Sequence, residues 1–234
     1  AELLIDHAWG YEPCTIAQIR AYKPQSSSLG CGQVLPCPYT ADKARIVVQE
    51  MIDGISLELV EKRLVTDQLV LTVGYDIENL TRPEIRKVYK GPVTTDRYGR
   101  RVPKHAHGTW NLPRATSSSS ELLEAMAALY DKIVNPALLI RRMSLSACHV
   151  VNEKMAKERE QKETFEQLDL FTDYAKKEAK EKEEQKKRER ERRMQEALLT
   201  IKKKYGKNAV LRGMNFEEGA TAKERNGQIG GHQA

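Results

Sequence analysis

The sequence has little of several features that define common protein classes. Aromatic residues make up 6% of the 234 residues. No apolar run approaches the roughly 18 residues of a membrane span, and no segment reads as a signal peptide, so we expect a cytoplasmic protein without a membrane partner. Cys14, Cys31, Cys37 and Cys148 show no CxxC spacing and no His at zinc-finger distance. Reduced thiols are therefore expected rather than a metal site or a disulfide framework.

The positive charge of the chain is modest in total but unevenly distributed. The formal net charge is +6, yet between Arg82 and Arg114 nine Lys or Arg residues stand against two acidic residues, a local net charge of +7. Such a concentration is typical of a protein with a polyanionic partner, and a solvated loop is the alternative reading. Residues 151–234 are rich in Lys, Glu, Arg, Gln and Ala, which indicates a polar tail behind one globular domain.

Apolar periodicity divides residues 25–152 into two similar halves. Each half predicts a strand, a helix and a further strand. The predicted strands cover 32–35 (ended by Pro36 and Pro38), 68–75, 105–112 and 140–151, and the predicted helices cover about 41–63 and 120–134. The order β-α-β-β-α-β favours an α+β fold, in which two helices cover one face of a four-stranded sheet and the other face stays open.

Three stretches resemble the C-terminal end of Y-family translesion DNA polymerases of the ImpB/MucB/SamB, UmuC-like type. Residues 4–13 resemble the end of the thumb domain, and the Ser-rich residues 26–35 resemble the entry into the little finger. Residues 139–146 are similar to its final strand, with Met143 where glycine is frequent. The resemblance implies a thumb end and linker at 1–24, a little-finger DNA-binding domain at 25–152, and a charged helical or disordered tail at 153–234.

By this resemblance the chain is part of an error-prone DNA-directed DNA polymerase that acts in DNA repair and damage tolerance. Such enzymes need carboxylates that hold two metal ions, and the nearest pair here, Asp76 and Glu78, is better read as part of a turn. We therefore predict no catalytic or metal-binding residue and no cofactor in this chain. Mg²⁺, palm, fingers and the rest of the thumb are expected in a longer polymerase, upstream of Ala1.

What this chain is expected to contribute is a hold on primer–template DNA. Arg141 and Arg142 lie on a predicted strand, so at least one faces the open side of the sheet, and the resemblance implies that the pair contacts template-strand phosphates. A solvent-facing Arg without a partner is the alternative. Further candidates for phosphate contacts are Ser26, Ser28, Gln33, Arg97, Arg100, Arg101 and Lys104. Contacts of this kind position DNA without reading its sequence.

A second partner is predicted from five residues in the tail. Gln167, Leu168, Asp169, Leu170 and Phe171 resemble the pentapeptide with which bacterial proteins bind the sliding clamp. In that mode Leu170 and Phe171 fill an apolar pocket and Gln167 bonds at its rim. An amphipathic helical turn that packs on the domain is the alternative for these residues. For the whole chain, the alternative is a free-standing basic, nucleic-acid-associated scaffold or adaptor protein.

Overall fold

The computed structural model of this chain describes residues 5, 8–12, 14–22, 27–96, 98–163, 174–229 and 232–233. Its elements in chain order are α1 (Ile16–Ala21), β1 (Leu29–Tyr39), α2 (Ala41–Lys62), β2 (Leu64–Tyr75), α3 (Glu78–Thr81), α4 (Pro83–Val88), β3 (Val93–Thr95), β4 (Arg101–Pro103), β5 (Ala106–Thr116), α5 (Ser119–Ile133), β6 (Ile140–Cys148), β7 (Val151–Asn152), α6 (Glu153–Glu163), α7 (Tyr174–Tyr205), a 3-10 turn (Gly213–Phe216), α8 (Ala222–Arg225), β8 (Gln228–Ile229) and β9 (His232–Gln233). The predicted α+β class is confirmed. None of the described helices is long and apolar enough to cross a membrane.

The central sheet has four long strands in the order β1-β6-β2-β5, and each strand is antiparallel to its neighbours. The short strand β7 adds to the beginning of β2. Because β6 lies between β1 and β2, and β2 lies between β6 and β5, both strand–helix–strand halves are interleaved in one sheet. A sheet of this kind forms only when both halves are in place.

One face of the sheet carries the hydrophobic core. Leu69, Leu71 and Val73 occupy alternate positions of β2 and are fully buried, as are Leu145 and Met143 of β6. They pack under α2 and α5, which lie against each other on this face. The α5 helix begins where Ser118 accepts a hydrogen bond from the Glu121 N–H at 3.2 Å, a side-chain cap of the predicted type.

Strand β1 differs from its prediction. The strand was expected to end at Pro36, but it runs through Pro36 and Pro38 to Tyr39. Its pairing with β6 shifts register between Val34 and Tyr39. Since β1 is an edge strand of the central sheet, its outer side forms no ladder hydrogen bonds that the prolines could remove. On the side that pairs with β6, the prolines lie within the register shift.

The tail is more ordered against the domain than its composition indicates. In α7 the side chain of Gln195 is 2% exposed, and its Nε2 donates to the Ser117 carbonyl at 3.0 Å. The Glu191 carboxylate accepts from the Ser120 backbone N–H at 2.8 Å, at the N-terminus of α5. Helix α7 therefore docks on the domain through polar contacts. The negative charge of the Glu191 carboxylate stabilises the N-terminal end of α5.

Residues 16–21 form a short helix that the sequence did not predict. Thr15 and Gln18 form a capping box that begins α1, so the chain regains a helical turn after Pro13. Ile16 and Ile19 of this helix are exposed.

Candidate nucleic-acid interface

The face of the sheet opposite α2 and α5 is a grid of aligned residues from all four long strands. Strand register fixes its rows, because residues opposite each other in neighbouring strands project from the same face. The rows are Gln68 with Cys148 and Asn111; Gly30, Ser146, Val70 and Thr109; Gly32, Ser144, Thr72 and His107; and Val34, Arg142 and Gly74. We call this surface the open face.

The rows of the open face consist mostly of small and polar residues, with Val34, Val70 and Cys148 among them, and contain no carboxylate. Ser144, His107 and Thr109 are exposed to solvent. Thr72 Oγ1 and His107 Nδ1 lie 2.9 Å apart and form a hydrogen bond across β2 and β5. With glycine and serine at the β1 and β6 positions, a bulky polyanion can approach the backbone closely, and the hydroxyl groups are available as donors.

Arg142 is the cation that belongs to the open face. It is exposed and has no ion-pair partner among the described residues. Its side chain lies flat across Gly74, since a Cβ placed on Gly74 would lie 2.6 Å from Arg142 Cγ. Gly74 therefore leaves the space in which the guanidinium stem rests, and the charged end stays accessible to a ligand.

Arg141, its neighbour, is held at the edge of the sheet instead. Its Nη1 donates to the Pro36 carbonyl at 3.0 Å, and its Nε lies 3.8 Å from Asp76 Oδ2. Asp76 in turn accepts from the Glu78 N–H at 2.9 Å, the turn geometry expected of an Asp at a strand end. Arg141 and Arg142 thus diverge, and Arg142 is the better placed of the two.

Part of the basic region between Arg82 and Arg114 forms a hairpin of β3 and β4. This hairpin lies beside the end of the open face, where Arg100 lines the same pocket as Arg142. Asp96 fixes its turn by accepting from the backbone N–H groups of Tyr98 and Arg100, each at 2.9 Å. The hydrogen bond from the Arg100 N–H, followed by that from its side chain, holds the pKa of Asp96 below its usual value. The Arg100 guanidinium lies 5.0 Å from the centre of the Tyr98 ring, so its direction is set before any ligand binds.

The remaining predicted residues divide into three groups. Arg101, Lys104 and Ser28 are exposed, with Ser28 at the entry into β1. Gln33 is placed elsewhere: it faces away from the open face, donates to Thr221 Oγ1 at 2.8 Å and accepts from Arg225 Nη1 at 2.7 Å. Ser26 and Arg97 lie outside the described residues.

Sequence reasoning missed most of the open face. Ser144 and Ser146 follow Arg142 at every second position of β6, so alternation alone would have placed all three on one face. Thr72 and His107 needed the strand register, which the sequence does not supply. The role of Gly74, which leaves space for the Arg142 side chain, can be recognised only when the position of that side chain is known.

Two further sequence predictions have no structural outcome. The pentapeptide Gln167–Phe171 lies outside the described residues. No group of three or more His, Cys, Asp or Glu side chains that could hold a metal ion is found in the described part of the chain.

Comparison with known proteins gives a limited result. No protein-family model matches the chain, and no curated protein matches it either. Solved structures that match include a complex of the beta-clamp processivity factor and the little finger domain of PolIV, with a TM-score of 0.35 and 9% sequence identity, covering 62% of this chain and 100% of that chain.

Proposed function

We propose that this chain is the DNA-holding C-terminal portion of a Y-family translesion polymerase. The observation that carries the proposal is the open face, where Arg142 lies between Val34 and Gly74, rows of serine and threonine follow, and none of the residues in the rows carries a carboxylate. A surface of this kind binds the sugar–phosphate backbone and reads no base edges. Holding DNA without inspecting its bases is what a lesion-tolerant polymerase requires of a domain outside its catalytic centre.

The hairpin β3–β4 extends the proposed DNA-binding surface. Arg101 and Lys104 are exposed there, and Arg100 is oriented by Asp96 and Tyr98. These cations lie to one side of Arg142, so the backbone of a duplex would run across the sheet toward the hairpin. Affinity from such contacts falls steeply with salt, because each neutralised phosphate releases counterions.

Reversal of the charge of Arg142 on the open face, together with that of its neighbour Arg141, tests this proposal. In the double variant R141E/R142E, we expect the dissociation constant for a primer–template duplex to rise roughly tenfold or more at low salt. Fluorescence anisotropy measures the change. The matched control is K62E/K132E, which reverses two charges on the helical side of the domain and should bind within about twofold of wild type. Equal affinity of R141E/R142E and wild type would refute a DNA-binding open face.

The same titration separates the two candidate functions. A polymerase fragment should bind primer–template duplex through Arg142, whereas a general adaptor would bind through its tail. Loss of binding only on removal of residues 174–234, with R141E/R142E unaffected, would favour the adaptor.

For the predicted sliding-clamp partner the proposal rests on Gln167–Phe171. Extended peptides of this type bind with affinities of order micromolar, and attachment of both partners to the same DNA raises the effective concentration. Replacing Leu170 and Phe171 with Ala should abolish capture by a bacterial sliding clamp. The control replaces Glu166 and Thr172, which flank the motif, with Ala and should leave capture unchanged. Capture of the L170A/F171A variant would show that the motif is not the tether.

A further inference from the structure

Beyond α7 the chain turns back and lies along the outer side of α2. Residues 207–229, here called the C-terminal segment, meet this helix at Glu50. The Glu50 carboxylate accepts from Asn215 Nδ2 at 2.8 Å, from the Thr221 N–H at 2.8 Å and from the Ala222 N–H at 3.0 Å. Glu50 is 7% exposed, so both of its oxygens are satisfied by the C-terminal segment and not by water.

Ion pairs on the same side of α2 flank this central contact. Arg212 Nη2 lies 2.7 Å from Asp53 Oδ1, and Glu218 pairs with Lys43. The three α2 positions are separated by seven and three residues, the spacing of a single helix face. The outer face of α2 therefore presents a cation, a buried carboxylate and a second carboxylate in a line, and each has its complement in the C-terminal segment.

The contact lacks the apolar area that holds the domain together. Of the side chains described in the C-terminal segment, Thr221 is the one that is buried, and it is polar. Phe216 is 69% exposed. Hydrogen bonds and ion pairs with little apolar burial contribute modestly to stability, so the C-terminal segment should open long before the core under α2 and α5 unfolds.

The junction with α7 permits such an opening. Helix α7 ends at Tyr205, and Gly206 follows with φ of +94°, a conformation that favours glycine. Lys207 and Asn208 after it are exposed. The C-terminal segment can therefore leave α2 by rotation at this turn, without disturbing the contacts of Glu191 and Gln195 in α7.

From these features we propose that the outer face of α2 is a peptide-binding site whose resident ligand is the C-terminal segment, bound reversibly. The chemistry of the site defines the peptides that it accepts. They offer Glu50 a turn with two consecutive free backbone N–H groups, preceded about ten residues earlier by an arginine for Asp53. Glu50 is the anchor, because its carboxylate accepts four hydrogen bonds from the C-terminal segment, the fourth from the Thr221 hydroxyl at 3.2 Å.

The test cuts the full chain at the junction. A specific protease site is inserted between Gly206 and Lys207, the folded protein is cleaved, and release of the 28-residue fragment (207–234) is followed by size exclusion and native mass spectrometry. At low salt the fragment should co-elute with the domain. At about 1 M salt, where screening acts within about 3 Å, the dissociation constant of the fragment should rise, because the Lys43–Glu218 pair at one end of the contact is exposed.

Substitution of the anchor sharpens the result. In the cleaved protein, E50Q should raise the dissociation constant of the fragment about tenfold or more, because a charged acceptor of several hydrogen bonds is lost. The control is E58Q on the same helix, since Glu58 pairs with Lys62 and not with the C-terminal segment. Circular dichroism of uncut E50Q checks that the domain still folds.

Three results would overturn the proposal: an unchanged dissociation constant of the fragment at 1 M salt, release of the wild-type fragment at low salt, or equal retention in E50Q and wild type. None of these measurements involves DNA, so they stand apart from the test of the open face.

Discussion

The two faces of the central sheet are built from the same strands but by different rules. On the helix face, Leu69, Leu71, Leu145 and Met143 are buried under two helices. On the open face, the intervening positions hold glycine, serine, threonine, Val70 and the exposed Arg142. The helix face provides stability through buried apolar area, and the open face is free to provide binding, because it contributes little to the core.

The largest expected difference between the faces is in stability. Leu71 is fully buried, so L71A should lower the free energy of unfolding by about 2–5 kcal/mol. T109A, on the exposed open face, should change it by under about 0.5 kcal/mol. Urea denaturation followed by circular dichroism measures both. Comparable losses in the two variants would mean that the open face is covered in solution.

A smaller effect is expected in DNA binding, between two glycines of the open face. A Cβ on Gly74 would displace the Arg142 side chain from its resting position, so G74A should weaken primer–template binding about threefold. The matched substitution on β1 is G32A, where the nearest atom to an added Cβ, the Met143 carbonyl oxygen, lies at 3.7 Å. If G74A and G32A bind DNA alike, the position of Arg142 over Gly74 has no part in binding.

The smallest expected effect concerns the reactivity of a partly buried cysteine, Cys31, compared with that of an exposed one, Cys37. Burial raises the pKa of Cys31 from 9.0 to about 11, although Arg225 acts in the opposite direction. The folded domain then holds this proton more tightly than the unfolded chain does, so its free energy of unfolding should fall as the pH rises from 9 toward 11.

At pH 8, a variant whose single cysteine is Cys31 should be alkylated about tenfold or more slowly than one whose single cysteine is the exposed Cys37. Maleimide labelling followed by mass spectrometry gives the two rates. Similar rates would show that the thiol of Cys31 is open to solvent.

The sequence predicted the helix face far better than the open face. The apolar stripes of the two helices indicate which of their sides is buried, because apolar periodicity is a strong signal. Glycine and serine give no such signal. Whether Arg141 or Arg142 faces outward depends on the register shift between Gly74 and Tyr75, which arises from tertiary pairing.

The contacts of the tail were beyond prediction for a related reason. Glu50 lies on a helix in which a glutamate is usually solvated, and its partners Asn215 and Thr221 are 165 and 171 residues away in sequence. No local pattern encodes so distant a polar contact. The composition of residues 151–234 indicates a polar tail, and in the structure residues 207–229 of that tail lie on the surface of α2.

The most direct test of the central claim is the salt dependence of DNA binding through Arg142. A plot of log affinity against log salt should be less steep for R142E than for wild type by about 0.9, the contribution of one phosphate contact. K132E, on the helical side, should keep the wild-type slope. An unchanged slope and affinity for R142E would contradict the claim that the open face holds the DNA backbone.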